Sequence, residues 1–216
     1  MNKYDLVIFD LDGTLLDTTE GVLQAVKYTI NEMGYKMLND DELASFIGPP
    51  IQNSFADAYN LKGEILQTIA TTFRNRYKDF ELFKAKPYEG IYYLFSELMN
   101  KKIKTAVATY KREDYAISLL QKFNFQNYTN IMYGADHENK LSKKDIIKKC
   151  IDTAQVTDMG KVVMLGDTVH DALGAKQMGI DFIGVTYGFG FKNEKDFINI
   201  DYIGIANSPI EIMKYV

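Results

Sequence analysis

Short runs rich in β-branched and aromatic residues recur along the chain: Asp5–Phe9, Thr105–Ala108, Asn130–Tyr133, Val162–Leu165, Phe182–Val185 and a weaker Tyr202–Ala206. Their length and composition predict strands. Between most of them the apolar positions fall at helical spacing, which predicts helices over Glu89–Lys101, Glu113–Phe123, Lys144–Thr153, His170–Met178 and a last helical piece over Pro209–Tyr215. Strands that are apolar on both faces and alternate with helices argue an α/β fold. The expected architecture is a Rossmann-like, doubly wound parallel sheet covered by helices on both sides.

One interval breaks the alternation. From about Thr18 to Phe83 the pattern is helical without a convincing strand. Thr18 or Thr19 can cap a helix whose Val22, Val26, Ile30 and Met33 share a face and which Gly34 ends. Asp40-Asp41-Glu42 starts a second helix, Gly48-Pro49-Pro50 breaks the pattern, and Ile51–Tyr59 resumes it. Ile65, Ile69, Phe73, Tyr77 and Phe80 then mark a long amphipathic helix. A βα crossover needs one helix and short loops, whereas this interval offers three or four. The expected organisation is therefore a core of residues 1–16 and 84–216 with a helical cap domain, 17–83, inserted into it. A cap entering directly after Asp10–Thr14 would sit above those carboxylates and could close over a substrate, excluding water.

Composition narrows the partners. The 216 residues are 46% hydrophobic and 13% aromatic, enough for a sizeable core. Lys and Arg number 25 against 29 Asp and Glu, a net charge of −4, which argues against nucleic-acid binding through a basic surface. An anionic substrate would need a local positive group. The single Cys150 sits in a helical context, so no disulfide framework or cysteine metal site is expected, and a reducing compartment fits. Asp5 interrupts the N-terminal apolar stretch that a signal peptide needs, and no run of about 18 apolar residues suggests a membrane span. A cytoplasmic protein is expected, without membrane partners and monomeric or weakly dimeric.

The candidate chemistry lies where strands end. Asp10-Leu11-Asp12-Gly13-Thr14 follows the first strand. It is not an EF-hand loop, because Gly13 falls fourth rather than sixth, position twelve is Gly21 rather than Glu, and a strand precedes it. Gly166-Asp167-Thr168-Val169-His170-Asp171 follows a later strand and opens a helix. Helix capping explains one carboxylate there. Two, in a fold that also brings Asp10 to a strand end, are better explained by a cation that offsets their repulsion, and Mg²⁺ is the expected cofactor. Thr109 closes a third strand with a hydroxyl that can donate to a phosphate oxygen. Lys140, Lys143 and Lys144 cluster at a helix start, where one ammonium turned inward would supply the required positive group. His170 and His137 make no zinc spacing.

In this order, strand-Asp-x-Asp-Gly-Thr, strand-Thr, a Lys at a helix start and Gly-Asp-x-x-x-Asp resemble the haloacid dehalogenase (HAD) superfamily over the whole chain. The insertion after the first motif resembles its helical C1-type cap, and Ile47-Gly48-Pro49-Pro50 resembles the phosphoglycolate phosphatase-like branch. The resemblance implies a Mg²⁺-dependent phosphatase acting on a small phosphorylated metabolite, a phosphomonoester. Asp10 would attack phosphorus to give an aspartyl-phosphate. Asp12 would protonate the leaving oxygen, then activate the hydrolytic water, and would offer its backbone carbonyl to the metal. Thr109 and Lys143 would bind the phosphoryl group, Asp167 would ligate Mg²⁺, and Asp171 would support it directly or through water. Lys144 and Lys140 are the other candidates for the Lys role.

The sequence departs from the family pattern at Tyr110, where Asn or Ser is usual, and after the Lys, where a Pro is common. A β-phosphoglucomutase-like phosphotransferase would use the same two Asp residues, although that group often carries Glu where Gly166 stands. A 5'-nucleotidase or a pyrophosphatase of the same superfamily is a further alternative. The cap positions expected to choose among substrates are Gly48, Pro49, Pro50, Asn53 and Arg74 or Arg76. A receiver-like signalling module is disfavoured by Asp12, which such a module does not need.

Overall fold

A computed structural model describes residues 2–136 and 140–216; His137 lies outside them. The chain divides into two compact units, residues 1–17 with 87–216, and residues 18–86.

The first unit is built on six parallel strands: β1 (Leu6–Phe9), β2 (Lys104–Arg112), β3 (Met132–Ala135), β4 (Val162–Gly166), β5 (Asp181–Val185) and β6 (Gly204–Ala206). Their order across the sheet is β3-β2-β1-β4-β5-β6. Helices α5 (Ile91–Asn100), α6 (Glu113–Lys122), α7 (Lys143–Ala154) and α8 (Val169–Met178) connect them. This is the Rossmann-like α/β fold that the strand–helix alternation predicts. The chain steps from β1 through β2 to β3, then returns to the other side of β1 as β4. That reversal makes the carboxyl ends of β2, β1 and β4 a topological switch point, where open α/β sheets hold ligands.

Side-chain alternation explains why β1 is short and wholly buried. Leu6 and Ile8 face a core shared with Ile146, Ile147 and Cys150 of α7 and Ala172 and Ala175 of α8. On the opposite face the Phe9 ring stacks on Phe95 of α5, centroids 4.7 Å apart. All four residues of β1 are fully buried, and each such side chain contributes about 1.5–3 kcal/mol. The apolar run stops at Asp10, but the ladder continues one step further, because the Asp10 N–H donates to the Leu165 carbonyl at 2.9 Å. A polar side chain is thereby fixed at the end of the central strand.

Strand β2 is longer than the predicted Thr105–Ala108. Its pairing with β3 shifts register between Ala108 and Arg112, the mark of a bulge that carries the strand past Thr109. The last piece, Pro209–Lys214, is a 3₁₀ rather than an α-helix.

The second unit has its own core. Helices α1 (Thr19–Glu32), α2 (Asp40–Ala44), α3 (Ile51–Tyr59) and α4 (Ile65–Arg76) bury Val26, Ile30, Leu43, Phe46, Phe55 and Ile69 together. Thr18 stands at the start of α1 without a side-chain capping bond, whereas Asn39 forms a full capping box with Glu42 on α2. The predicted long helix ends at Arg76 and gives way to a π-helical turn, Tyr77–Glu81. Here the buried Glu81 meets Arg76 at 2.5 Å and Lys84 at 2.7 Å. Burial alone would raise the Glu81 pKa, but the two cations outweigh it and hold the pKa below the ordinary value. Arg76 also lies over the Tyr28 and Phe80 rings. Among the described residues no helix is long and apolar enough to cross a membrane.

Candidate active site

Asp10 leaves β1 with its side chain buried, and the turn that follows is held by backbone bonds from Leu15 and Leu16 N–H to the Leu11 carbonyl. Gly13 adopts φ +81°, and a Cβ there would lie 2.3 Å from Asp167 Oδ2. Only glycine allows both that backbone conformation and that approach. Asp167, fully buried, follows β4. Its Oδ2 accepts from the backbone N–H groups of Phe189, at 2.6 Å, and Gly190, at 3.0 Å, while its Oδ1 is buried with no hydrogen-bond partner.

Asp171 belongs to the first turn of α8. Its Oδ2 accepts from Thr168 N–H at 3.1 Å and from Thr168 Oγ1 at 2.7 Å, closing a capping box. The capping expected of this segment therefore uses one Asp171 oxygen and leaves Oδ1 to face the Lys143 ammonium at 2.6 Å. A Cβ at Gly166 would stand 2.3 Å from the Asp171 carboxyl carbon, so the residue before Asp167 must lack a side chain.

Lys143 is 3% exposed and bridges two carboxylates, with Nζ 2.6 Å from Asp10 Oδ1 as well as from Asp171 Oδ1. Its place is set by the Ser142–Asp145 capping box, which makes it the first residue of α7. Gly174 of α8 makes room beside it, since a Cβ there would touch the Lys143 Cγ and Ile147 Cδ1. Lys144 and Lys140 are exposed. Thr109, 1% exposed, accepts the Lys111 N–H at 3.1 Å through Oγ1, which leaves the hydroxyl proton to be donated elsewhere.

Asp12 stands apart from this cluster. Its Oδ1 lies 3.1 Å from Lys111 Nζ, and its side chain is 23% exposed. Two carboxylates two residues apart thus have different surroundings, one buried against Lys143 and other acids, one half-buried against Lys111.

The buried acids are strained electrostatically. Burial pushes the Asp10 pKa well above the ordinary carboxylate value, Lys143 pulls it down by less, and Asp171, Asp167 and Asp12 push it up further. Burial, then Asp171, raises Asp167 to about 6 against the pull of the Gly190 and Phe189 amides. For Lys143, burial favours the neutral amine, but Asp10 and Asp171 outweigh it and the ammonium is held more firmly than usual. One ammonium pairs with two of three buried carboxylates, Asp10, Asp167 and Asp171, which each bring an oxygen within 4.8 Å of the others. A bare Asp167 oxygen in an all-oxygen cluster of this kind fits a hard divalent cation.

The family profile for haloacid dehalogenase-like hydrolases matches residues 7–185, which includes Asp10, Asp12, Thr109, Lys143, Asp167 and Asp171. The chain belongs to this hydrolase family. The chain is 30% identical over 193 residues to a 5'-nucleotidase from Pseudomonas aeruginosa, covering 89% of this chain and 87% of that one. It is 31% identical over 196 residues to the tyrosine-protein kinase PtkA of Mycobacterium tuberculosis, covering 90% of this chain and 65% of PtkA. Phosphoglycolate phosphatases and a pyrophosphatase also match at 26–28% identity. A solved predicted phosphatase from Clostridium acetobutylicum superposes with a TM-score of 0.87 at 33% identity, over 99% of this chain and 98% of that one. This haloacid dehalogenase-like hydrolase is a phosphatase, a phosphoric monoester hydrolase in class.

Three features of this phosphatase site escaped the sequence reading. The Phe189 and Gly190 amides that hold Asp167 come from Tyr187-Gly188-Phe189-Gly190, whose two glycines after a strand were the available signal. Tyr110, the departure from the family pattern, accepts the Lys143 backbone N–H at 2.8 Å through its hydroxyl, and its ring lies 5.6 Å from Lys143 Nζ. His170 meets the same ring edge-on. Lys111 follows Tyr110 and pairs with Asp12, a contact that no spacing rule announces.

Proposed function

We propose that this hydrolase cleaves small phosphomonoesters with Mg²⁺ through an aspartyl-phosphate on Asp10, in the manner of phosphoglycolate phosphatases. The observation that carries the reading is the unequal setting of Asp10 and Asp12. Asp10 is buried in the acidic cluster against Lys143, while Asp12 lies outside it with Lys111.

Asp10, Asp167 and Asp171, with the Asp12 carbonyl, are the groups that would hold the metal. When bound, Mg²⁺ neutralises carboxylates and phosphoryl oxygens that would otherwise repel one another. An Asp10 carboxylate oxygen forms the bond to phosphorus as the ester P–O bond breaks, and the Asp12 proton goes to the departing oxygen. Asp12 then takes a proton from the water that attacks phosphorus, releasing inorganic phosphate and restoring Asp10. Lys143 and the Thr109 hydroxyl hold the phosphoryl oxygens during both steps. Residues 18–86 are assigned the choice of substrate as a cap. Within them Arg76 is engaged by Glu81, Tyr28 and Phe80, which leaves Gly48, Pro49, Pro50, Asn53 and Arg74 as the selecting positions.

Hydrolysis of an aryl phosphate with Mg²⁺ tests the reading. Turnover is expected to fall by at least about 1,000-fold in Asp10→Asn, the scale on which loss of a covalent nucleophile acts. Wild-type turnover in that variant would remove Asp10 from the mechanism.

A further inference from the structure

Lys111 has no part in the phosphoryl-transfer scheme, yet the fold places it with care. Its side chain is 10% exposed, and its ammonium lies 3.1 Å from Asp12 Oδ1. Its backbone N–H is tied to the Thr109 hydroxyl, and it sits in the stretch of β2 where the register with β3 shifts. A bulge beside a site re-aims a side chain that a regular strand would send elsewhere. Here the side chain is aimed at Asp12, the acid assigned to the departing oxygen.

We infer that Lys111 is a specificity-determining residue whose ammonium binds a second anionic group on the substrate, a carboxylate or phosphate attached next to the ester oxygen that departs. The inference rests on the proposed phosphatase reading, which puts Asp12 on the leaving-group side. The departing oxygen must come within hydrogen-bond reach of Asp12, about 2.6–3.2 Å. A substituent one or two bonds beyond that oxygen is then within reach of a cation that already touches Asp12. An ammonium carries three donors and can serve two anions at once, as Lys143 does between Asp10 and Asp171. The phosphoryl group itself is provided for by Lys143 and Thr109. Lys111 is thus a second cation, beside Asp12, additional to the one that serves the phosphoryl group.

The experiment compares kcat/KM for 2-phosphoglycolate, which carries a carboxylate, and pyrophosphate, which carries a second phosphate, with that for phenyl phosphate, which carries neither. All are measured with Mg²⁺ in the wild type, Lys111→Met and Lys111→Arg. The wild type is expected to favour at least one anion-bearing substrate about 10-fold or more, the scale of one charge-assisted hydrogen bond. Lys111→Met should lower that ratio about 10-fold, chiefly through KM, and Lys111→Arg should keep most of it. The arm that responds identifies carboxylate or phosphate. A ratio does not depend on the folded fraction, and Lys111→Gln serves if the Met variant is insoluble. Activities that fall together, with the ratio unchanged, would overturn the inference and make Lys111 a support for Asp12 alone. Wild-type hydrolysis of phenyl phosphate without preference for either anion would also overturn it, while leaving the phosphatase reading standing. Absence of turnover on all three would instead defeat that reading, and the inference with it.

Discussion

Lys143 is the residue on which the buried charges depend. It is the described ammonium against Asp10 and Asp171, and removing one partner from a buried charge cluster leaves the others uncompensated. Lys143→Met is expected to lower the unfolding free energy of the metal-free protein by about 3 kcal/mol, read from urea denaturation near neutral pH; an unchanged midpoint would mean that the acids find relief elsewhere. Tyr110 acts one step further out, through its hydroxyl on the Lys143 N–H. Tyr110→Phe keeps the ring and removes one hydrogen bond, so a loss of about 1 kcal/mol and a few-fold fall in kcat/KM are expected, whereas Tyr110→Asn, which alters the ring as well, should cost more. At this scale the sequence was legible where a residue type is tied to a motif: Asp10, Asp167 and Asp171 converge, and of the three lysines considered it is Lys143 that is buried beside them. Tyr110 and Lys111 were not legible, because what they do depends on a bulge and on which helix end lies opposite. Neither fact is written in local spacing.

Elements carry the site by ending in the right place. β1 stops at Asp10 because the apolar run stops there, and β4 stops at Gly166 because the next helix must bring the Asp171 carboxylate against it. Gly166→Ala puts a methyl group 2.3 Å from the Asp171 carboxyl carbon, so the start of α8 must shift. The variant is expected to fold with a stability loss of about 1–3 kcal/mol and to lose most of its activity. Wild-type activity in it would show that the position of Asp171 tolerates movement. Periodicity found these strands because each is apolar on both faces, and it placed α7 and α8 within a residue of their ends. It overextended the helix after Ile65, since Tyr77 and Phe80 continue the apolar spacing while the buried Glu81, held by Arg76 and Lys84, sits in a π-helical turn.

For the molecule as a whole, the acidic cluster is expected to make stability depend on pH and, under the proposed reading, on Mg²⁺. Burial raises Asp167 from 3.8 to about 6, so the folded state binds more protons than the unfolded chain between these values. A raised carboxyl pKa contributes stability at pH below its unfolded value that is lost as pH rises through the folded value. Metal-free protein is therefore expected to lose thermal stability between about pH 4 and pH 7. Mg²⁺ should raise Tm clearly near pH 7.5 and little near pH 5, as differential scanning fluorimetry would report. An equal Mg²⁺ effect at both pH values would place the ion away from these carboxylates. The central claim is that Asp10 carries the phosphoryl group while Asp12 moves the proton. The most direct test is an Asp12→Asn variant given an aryl phosphate, whose phenolate departs without an acid, quenched and digested for mass spectrometry. The account predicts a stoichiometric burst of phenol and a phosphoryl group on the peptide that contains Asp10. Steady release of phenol with that peptide unmodified would contradict it.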